Sequence, residues 1–79
     1  MGCEVRIRIG REYTREEKEL LESCLARMGR IVTRADDEYL RDFGNSPTII
    51  ELGNLVLILM WGRDYDRYVL EWVELTTQY

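Results

Sequence analysis

Leu55-Val56-Leu57-Ile58-Leu59-Met60-Trp61 is an unbroken apolar run. Successive side chains of a strand point to opposite faces of its sheet, so a strand that is apolar at every position is the pattern of one covered on both sides. Residues 48–52 and 67–75 flank the run as two further strand-like segments. Gly53-Asn54 has the form of a two-residue hairpin turn, which pairs Leu52 with Leu55 and Ile50 with Leu57. Gly62-Arg63-Asp64-Tyr65-Asp66 reads as a longer polar loop that returns the chain through the last strand. With Trp61 opposite Arg67, this meander places Leu57, Leu59, Trp61, Val69 and Val73 on one face. Ile49, Val56, Ile58, Met60, Tyr68, Leu70 and Trp72 fall on the other. A slip of one residue in the loop exchanges the faces of the last strand.

Ahead of the meander, Cys3-Glu4-Val5-Arg6-Ile7-Arg8-Ile9 alternates with period two, a half-buried strand that ends at Gly10. Thr14-Arg15-Glu16-Glu17 has the form of a capping box and opens a helix. Leu20, Leu21, Cys24, Leu25 and Met28 recur at helical spacing on its apolar stripe, with Glu16, Glu19, Glu22 and Arg27 outside it. Arg27 and Arg30 suit the carboxyl end of the helix dipole, and Gly29 is placed as its terminating residue. Residues 30–44 fit either a short second helix carrying Ala35, Tyr39, Leu40 and Phe43, which we favour, or a strand over residues 30–34 with an acidic loop behind it. Asn45-Ser46-Pro47 reads as a turn. The expected architecture is therefore a single α+β domain over residues 1–79, in the order β-α-(α)-β-β-β. Its sheet is four-stranded and largely antiparallel, with one main helix packed on one face. A single helix covers one face only, so the other needs the short segment, a second copy or a different protein over it.

Composition narrows the function. The 79 residues carry fifteen acidic and eleven basic side chains, a net charge of −4, with no basic tract, which argues against nucleic acid as a partner. Histidine is absent, which removes His-dependent catalysis and most zinc sites. Cys3 and Cys24 lack the spacing of a metal or redox motif and the density of a secreted scaffold, so reduced thiols in the cytoplasm are expected, the alternative being a Cys3–Cys24 disulfide where the ends of the first strand and the helix meet. The apolar run is too short to span a membrane, and no signal peptide is visible.

No constellation supports an enzyme, a metal or a cofactor. Asp64 and Asp66 are two carboxylates where a calcium loop needs more ligands. Asp36, Asp37 and Glu38 read as a favourably charged first helical turn. What remains is a binding surface. Met60, Tyr68 and Trp72, with Arg63 and Tyr65 in the adjacent loop, are residue types enriched at interface centres. Glu51, Glu71 and Glu74 on the sheet, with Asp36, Asp37 and Glu38, would give that surface an acidic rim. The expected function is a non-enzymatic protein-protein interaction module, a small acidic inhibitor or regulator docking on a basic protein surface such as that of a nucleic-acid-binding protein. The alternative is a structural homodimer that buries the spare sheet face.

Overall fold

The computed structural model describes residues 4–77. Its elements are strand β1 (Glu4–Tyr13), helix α1 (Arg15–Met28), strand β2 (Arg30–Thr33), helix α2 (Asp37–Phe43), and strands β3 (Asn45–Leu52), β4 (Leu55–Asp64) and β5 (Arg67–Thr77). The strands form one antiparallel sheet in the order β1-β5-β4-β3-β2. The protein is thus an α+β fold with two helices and five strands, one strand more than the sequence predicts. The extra strand is β2: the favoured second helix forms over Asp37–Phe43, and the strand of the alternative reading forms ahead of it over Arg30–Thr33, without the acidic loop that reading put behind it.

Helix α1 joins the two edge strands of the same sheet. Its 14 residues rise about 21 Å, and crossing five strands takes roughly 19 Å, so the helix is just long enough to bridge from edge to edge. The capping box starts it as expected, with Glu17 N donating to Thr14 Oγ1 at 3.1 Å and Thr14 N donating to Glu17 Oε1 at 2.8 Å. The bond from the Thr14 amide also holds the Glu17 carboxyl below its ordinary range. Gly29 ends the helix for a different reason from the one expected. Its backbone is extended, not left-handed, and a Cβ there would overlap the Glu51 carbonyl oxygen and the Leu52 side chain.

The helix lies rotated from its expected stripe. Leu21 and Leu25 pack against the core beside buried Lys18 and Glu22, whereas Leu20, Cys24 and Met28 are exposed. Pairing of Cys24 with Cys3 concerns a residue outside those described. Helix α2 takes the same side of the sheet. Ala35 N donates to Thr48 Oγ1 at 3.2 Å and Asp36 N to Ser46 Oγ at 3.0 Å, and both hydroxyls lie on the α1 side of β3. Asp36 then caps α2 by accepting from the amides of Glu38 and Tyr39, and Leu40 drops into the core. Tyr39 and Phe43, expected on the apolar stripe, stack on each other at 4.6 Å and stay exposed. Gly44 (φ 89°), and not Asn45-Ser46-Pro47, makes the turn into β3. Pro47 sits in β3 beyond the last pair with β2, where its missing N–H costs no ladder bond.

The Gly53-Asn54 hairpin has the expected register, Leu52 opposite Leu55 and Ile50 opposite Leu57. Two other expectations fail on bulges. Gly10 (φ 72°) does not end β1 but bulges it between Arg8 and Arg11, and the strand continues to Tyr13. The β4–β5 turn is only Tyr65-Asp66, with Asp64 opposite Arg67, and the register shifts so that Met60 faces Trp72 but Trp61 faces Leu70. Glu71 is the extra residue. It inverts the parity of β5, so that Tyr68 and Leu70 enter the core with Trp61 while Trp72 stays opposite Met60 on the other face.

Replacing Gly29 tests the helix–sheet approach. Gly29→Ala is expected to lower unfolding stability by about 2 kcal/mol, read as the urea midpoint, because the Glu51 backbone carbonyl, which cannot swing away as the Leu52 side chain can, blocks the new methyl.

Candidate functional site

Two features of the fold carry side-chain chemistry. The first is a polar cleft between α1 and α2, about 350 Å³ in volume, lined among others by Arg15, Lys18, Glu22, Arg34, Asp37 and Tyr68. At its floor Lys18 Nζ meets Glu22 Oε1 at 3.1 Å, one helical turn apart, and Glu22 is only 1% exposed. Thr48 Oγ1 donates to the other oxygen of Glu22, and Arg34 approaches the first at 3.5 Å. The ammonium also lies over the rings of Tyr68 (5.1 Å) and Trp61 (5.6 Å), whose negative faces favour a cation. These contacts supply partners that a desolvated ion pair requires.

Above them, Tyr68 OH donates to Asp37 Oδ1 at 2.7 Å, and Arg15 Nη1 pairs with Asp37 Oδ2 at 3.0 Å. The Tyr68 bond is the main reason that the Asp37 carboxyl lies below its ordinary range, with the Arg15 guanidinium adding to it. Burial, and then Asp37, push the Tyr68 phenol up. Lys18 and Arg34 share Glu22 while Arg15 pairs with Asp37, so the cleft works as a tie between the helices and the sheet. Nothing in the residue pattern singled it out: Glu22 reads as a solvent-facing acid on the helix, and only its i,i+4 relation to Lys18, in phase with Leu21 and Leu25, hinted at an inward position.

The second feature is the sheet face opposite the helices. Ile49, Val56, Ile58, Met60 and Trp72 share it and remain partly exposed. Arg6 crosses Trp72 with its guanidinium 5.0 Å from the ring centroid and pairs with Glu74 at 2.8 Å. Asn45 Nδ2 donates to Glu71 Oε2 at 2.6 Å, and the Glu71 carboxylate lies over Gly62, where a Cβ would come within 2.8 Å of Oε1. The bulges of β1 and β5 meet here and open a depression of about 390 Å³ beside Trp72, bordered by Arg6, Arg8, Gly10, Val69 and Glu71.

The structure therefore brings together Met60, Trp72, Glu71 and Glu74, and separates the rest of the expected surface from them. Tyr68 is buried under α1. Arg63, opposite Tyr68 across the hairpin, sits at 5.6 Å over that ring and donates to the Tyr65 carbonyl. Tyr65 projects from the turn, 93% exposed at φ 57°. Asp36 and Asp37 lie in the helical layer, one as a cap and the other as the acceptor of Tyr68 and Arg15, so they form no rim around Trp72. Ile49 lies on this face as the meander predicts, and strand pairing brings Arg6 and Arg8 of β1 onto it beside Trp72.

Among the described residues no group of three or more His, Cys, Asp or Glu is placed to hold a metal, and no helix is long and apolar enough to cross a membrane. Compared with protein-family models, with curated proteins and with solved structures, the chain matches none.

Two outcomes follow from the cleft. Glu22→Ala strands Lys18 in the core and is expected to cost about 3–5 kcal/mol, measured by urea unfolding, whereas Lys18→Met with Glu22→Leu recovers most of that loss. Asp37, with its carboxyl lowered in the folded state, contributes stability that is present above the ordinary aspartate range and lost as pH falls through the folded value. Tyr68→Phe removes the main cause, so the stability gap between the two proteins, about 1 kcal/mol at neutral pH given that Asp37 is partly exposed, narrows below pH ~4.

Proposed function

We propose that the protein is a non-enzymatic binding module that docks a protein partner on the sheet face opposite its helices. One observation carries this reading: both helices pack on the same side, which leaves Ile49, Val56, Ile58, Met60 and Trp72 as a partly exposed stripe in the middle of a five-stranded sheet. Trp and Met at the centre with Arg beside them is the composition of an interface core. Trp72 is the anchor. The Arg6 guanidinium and the bulged Glu71 frame it, and the depression next to it offers room for a partner side chain.

Charge favours a basic partner. Register places Glu4, Glu12, Glu51, Glu71 and Glu74 on this face against Arg6, Arg8 and Arg30, so carboxylates exceed guanidiniums. The excess is modest, because Arg6 is engaged by Glu74 and Arg30 by Glu51. It supports steering more than affinity. An inhibitor or regulator of a basic protein fits this description, with an intracellular site of action as part of the proposal. The internal pairing of these charges favours a second reading, a homodimer that buries the same face against its copy.

The test is capture from the native host with wild-type protein and with Trp72→Ala, a side chain outside the helix-covered core. The proposal expects a protein retained by the wild type and lost with Trp72→Ala, with affinity lower by about thirtyfold or more, and retained less at high salt with Glu71→Gln and Glu74→Gln. Equal retention by wild type and Trp72→Ala would sink it. A dimer of the purified chain that Trp72→Ala dissociates would favour the second reading.

A further inference from the structure

The two edges of the sheet are unequal. Strand β2 is four residues long, and its register with β3 shifts between Ile31 and Thr33, both of which blunt an edge against further pairing. Strand β1 has ten residues, and from Glu4 to Arg8 it pairs with β5 in unbroken register. Its outer edge over that stretch is regular and unpaired among the described residues. Its side chains are also uncovered on the helical side, with Val5 46%, Ile7 58% and Ile9 43% exposed. Helix α1 leaves this corner bare because it departs from the far end of β1 and crosses toward β2.

A long regular edge with exposed apolar side chains invites another strand. The charges on the opposite side of β1 state which strand. Glu4, Arg6 and Arg8 alternate there, and Arg6 is engaged by Glu74 at 2.8 Å, whereas Glu4 and Arg8 have no ion-pair partner among the described residues. An antiparallel two-fold pairing centred on Arg6 sets Glu4 opposite Arg8 of a second copy, twice, and Val5 opposite Ile7 of that copy, twice. The two Arg6 side chains meet on the axis, each already neutralised by its own Glu74. Centring on Ile7 instead sets Arg6 against Arg8 twice, and like charges directly opposite each other destabilise a strand pair. Centring on Val5 leaves Arg8 without a partner and shortens the contact.

We infer that β1 is a self-association edge: two copies of this chain join antiparallel through residues 4–8, in the register centred on Arg6, to form a continuous ten-stranded sheet. The bulge at Gly10 ends the pairing by bending the strand away, which limits the contact and makes the dimer a weak, concentration-dependent one. The joined sheets carry their two Trp72 faces on the same side, so self-association doubles the surface described above without occupying it.

Sedimentation of the purified full chain from low micromolar to submillimolar concentration tests this. Expected is a reversible monomer–dimer equilibrium that weakens with salt. Glu4→Arg alone and Arg8→Glu alone, both at exposed positions, each oppose like charges twice and are expected to weaken the dimer by about tenfold or more. The double variant Glu4→Arg/Arg8→Glu restores it, because each introduced charge then faces its opposite across the axis. Ile7→Lys dissociates it as well. A strict monomer at submillimolar concentration overturns the inference. So does a dimer indifferent to Glu4→Arg and Arg8→Glu, or one broken by Trp72→Ala and untouched at β1, which would be the sheet-face homodimer. Trp72→Ala leaves this dimer unaltered, because Trp72 lies away from the β1 edge.

Discussion

Helix α1 has to leave one edge strand of the sheet and enter the other, and most of the structure follows from that constraint. A connection between β1 and β2 must cross every intervening strand, and at about 1.5 Å per residue a helix of 14 residues has little length to spare. Its end must therefore come down tightly on the sheet, which Gly29 permits by bringing the backbone onto Glu51 and Leu52. Its path across the sheet also fixes which side is the core side.

That path explains the charged pair in the core. Where α1 passes over β3, β4 and β5, the side chains beneath it include Thr48, Trp61 and Tyr68. Two aromatic faces and a hydroxyl make a poor site for a further leucine and a good one for an ammonium–carboxylate pair that needs partners on several sides. Lys18 and Glu22 fill it, and the flank bearing Leu20, Cys24 and Met28 turns outward. The same row of hydroxyls on β3 anchors the approach to α2, Ser46 and Thr48 each accepting a backbone N–H, so the second helix is drawn to the side already occupied by the first.

With both helices on one side, the other face of the sheet is left to strands alone, and the bulge at Glu71 decides what that face displays. A regular β5 would have kept Tyr68 and Trp72 together. One extra residue sends Tyr68 to the core, where its hydroxyl ties Asp37, and holds Trp72 among Met60, Arg6 and Glu74. One local irregularity thus supplies both the packing of the helical layer and the aromatic anchor of the open layer.

Local pattern was enough for the elements whose cause is local. Period-two alternation marks β1, the Thr14–Glu17 box marks the start of α1, Gly53-Asn54 sets the β3–β4 register, and the run from Leu55 to Trp61 identifies a central strand with apolar side chains on two faces. The double apolar character also announced a surface beyond the reach of one helix. Tertiary structure decided the rest, for physical reasons that do not reside in any one segment. The face of α1 that turns inward depends on which side chains lie beneath it, since Leu21 and Leu25 can be flanked either by Lys18 and Glu22 or by Leu20 and Cys24. Strand β2 exists because β3 offers it an edge. The parity of β5 depends on a bulge shared with its neighbours. The face left open depends on two hydroxyls of β3 that recruit α2 to the occupied side, so the sequence announces a surface in need of a cover and the packing alone says where it is.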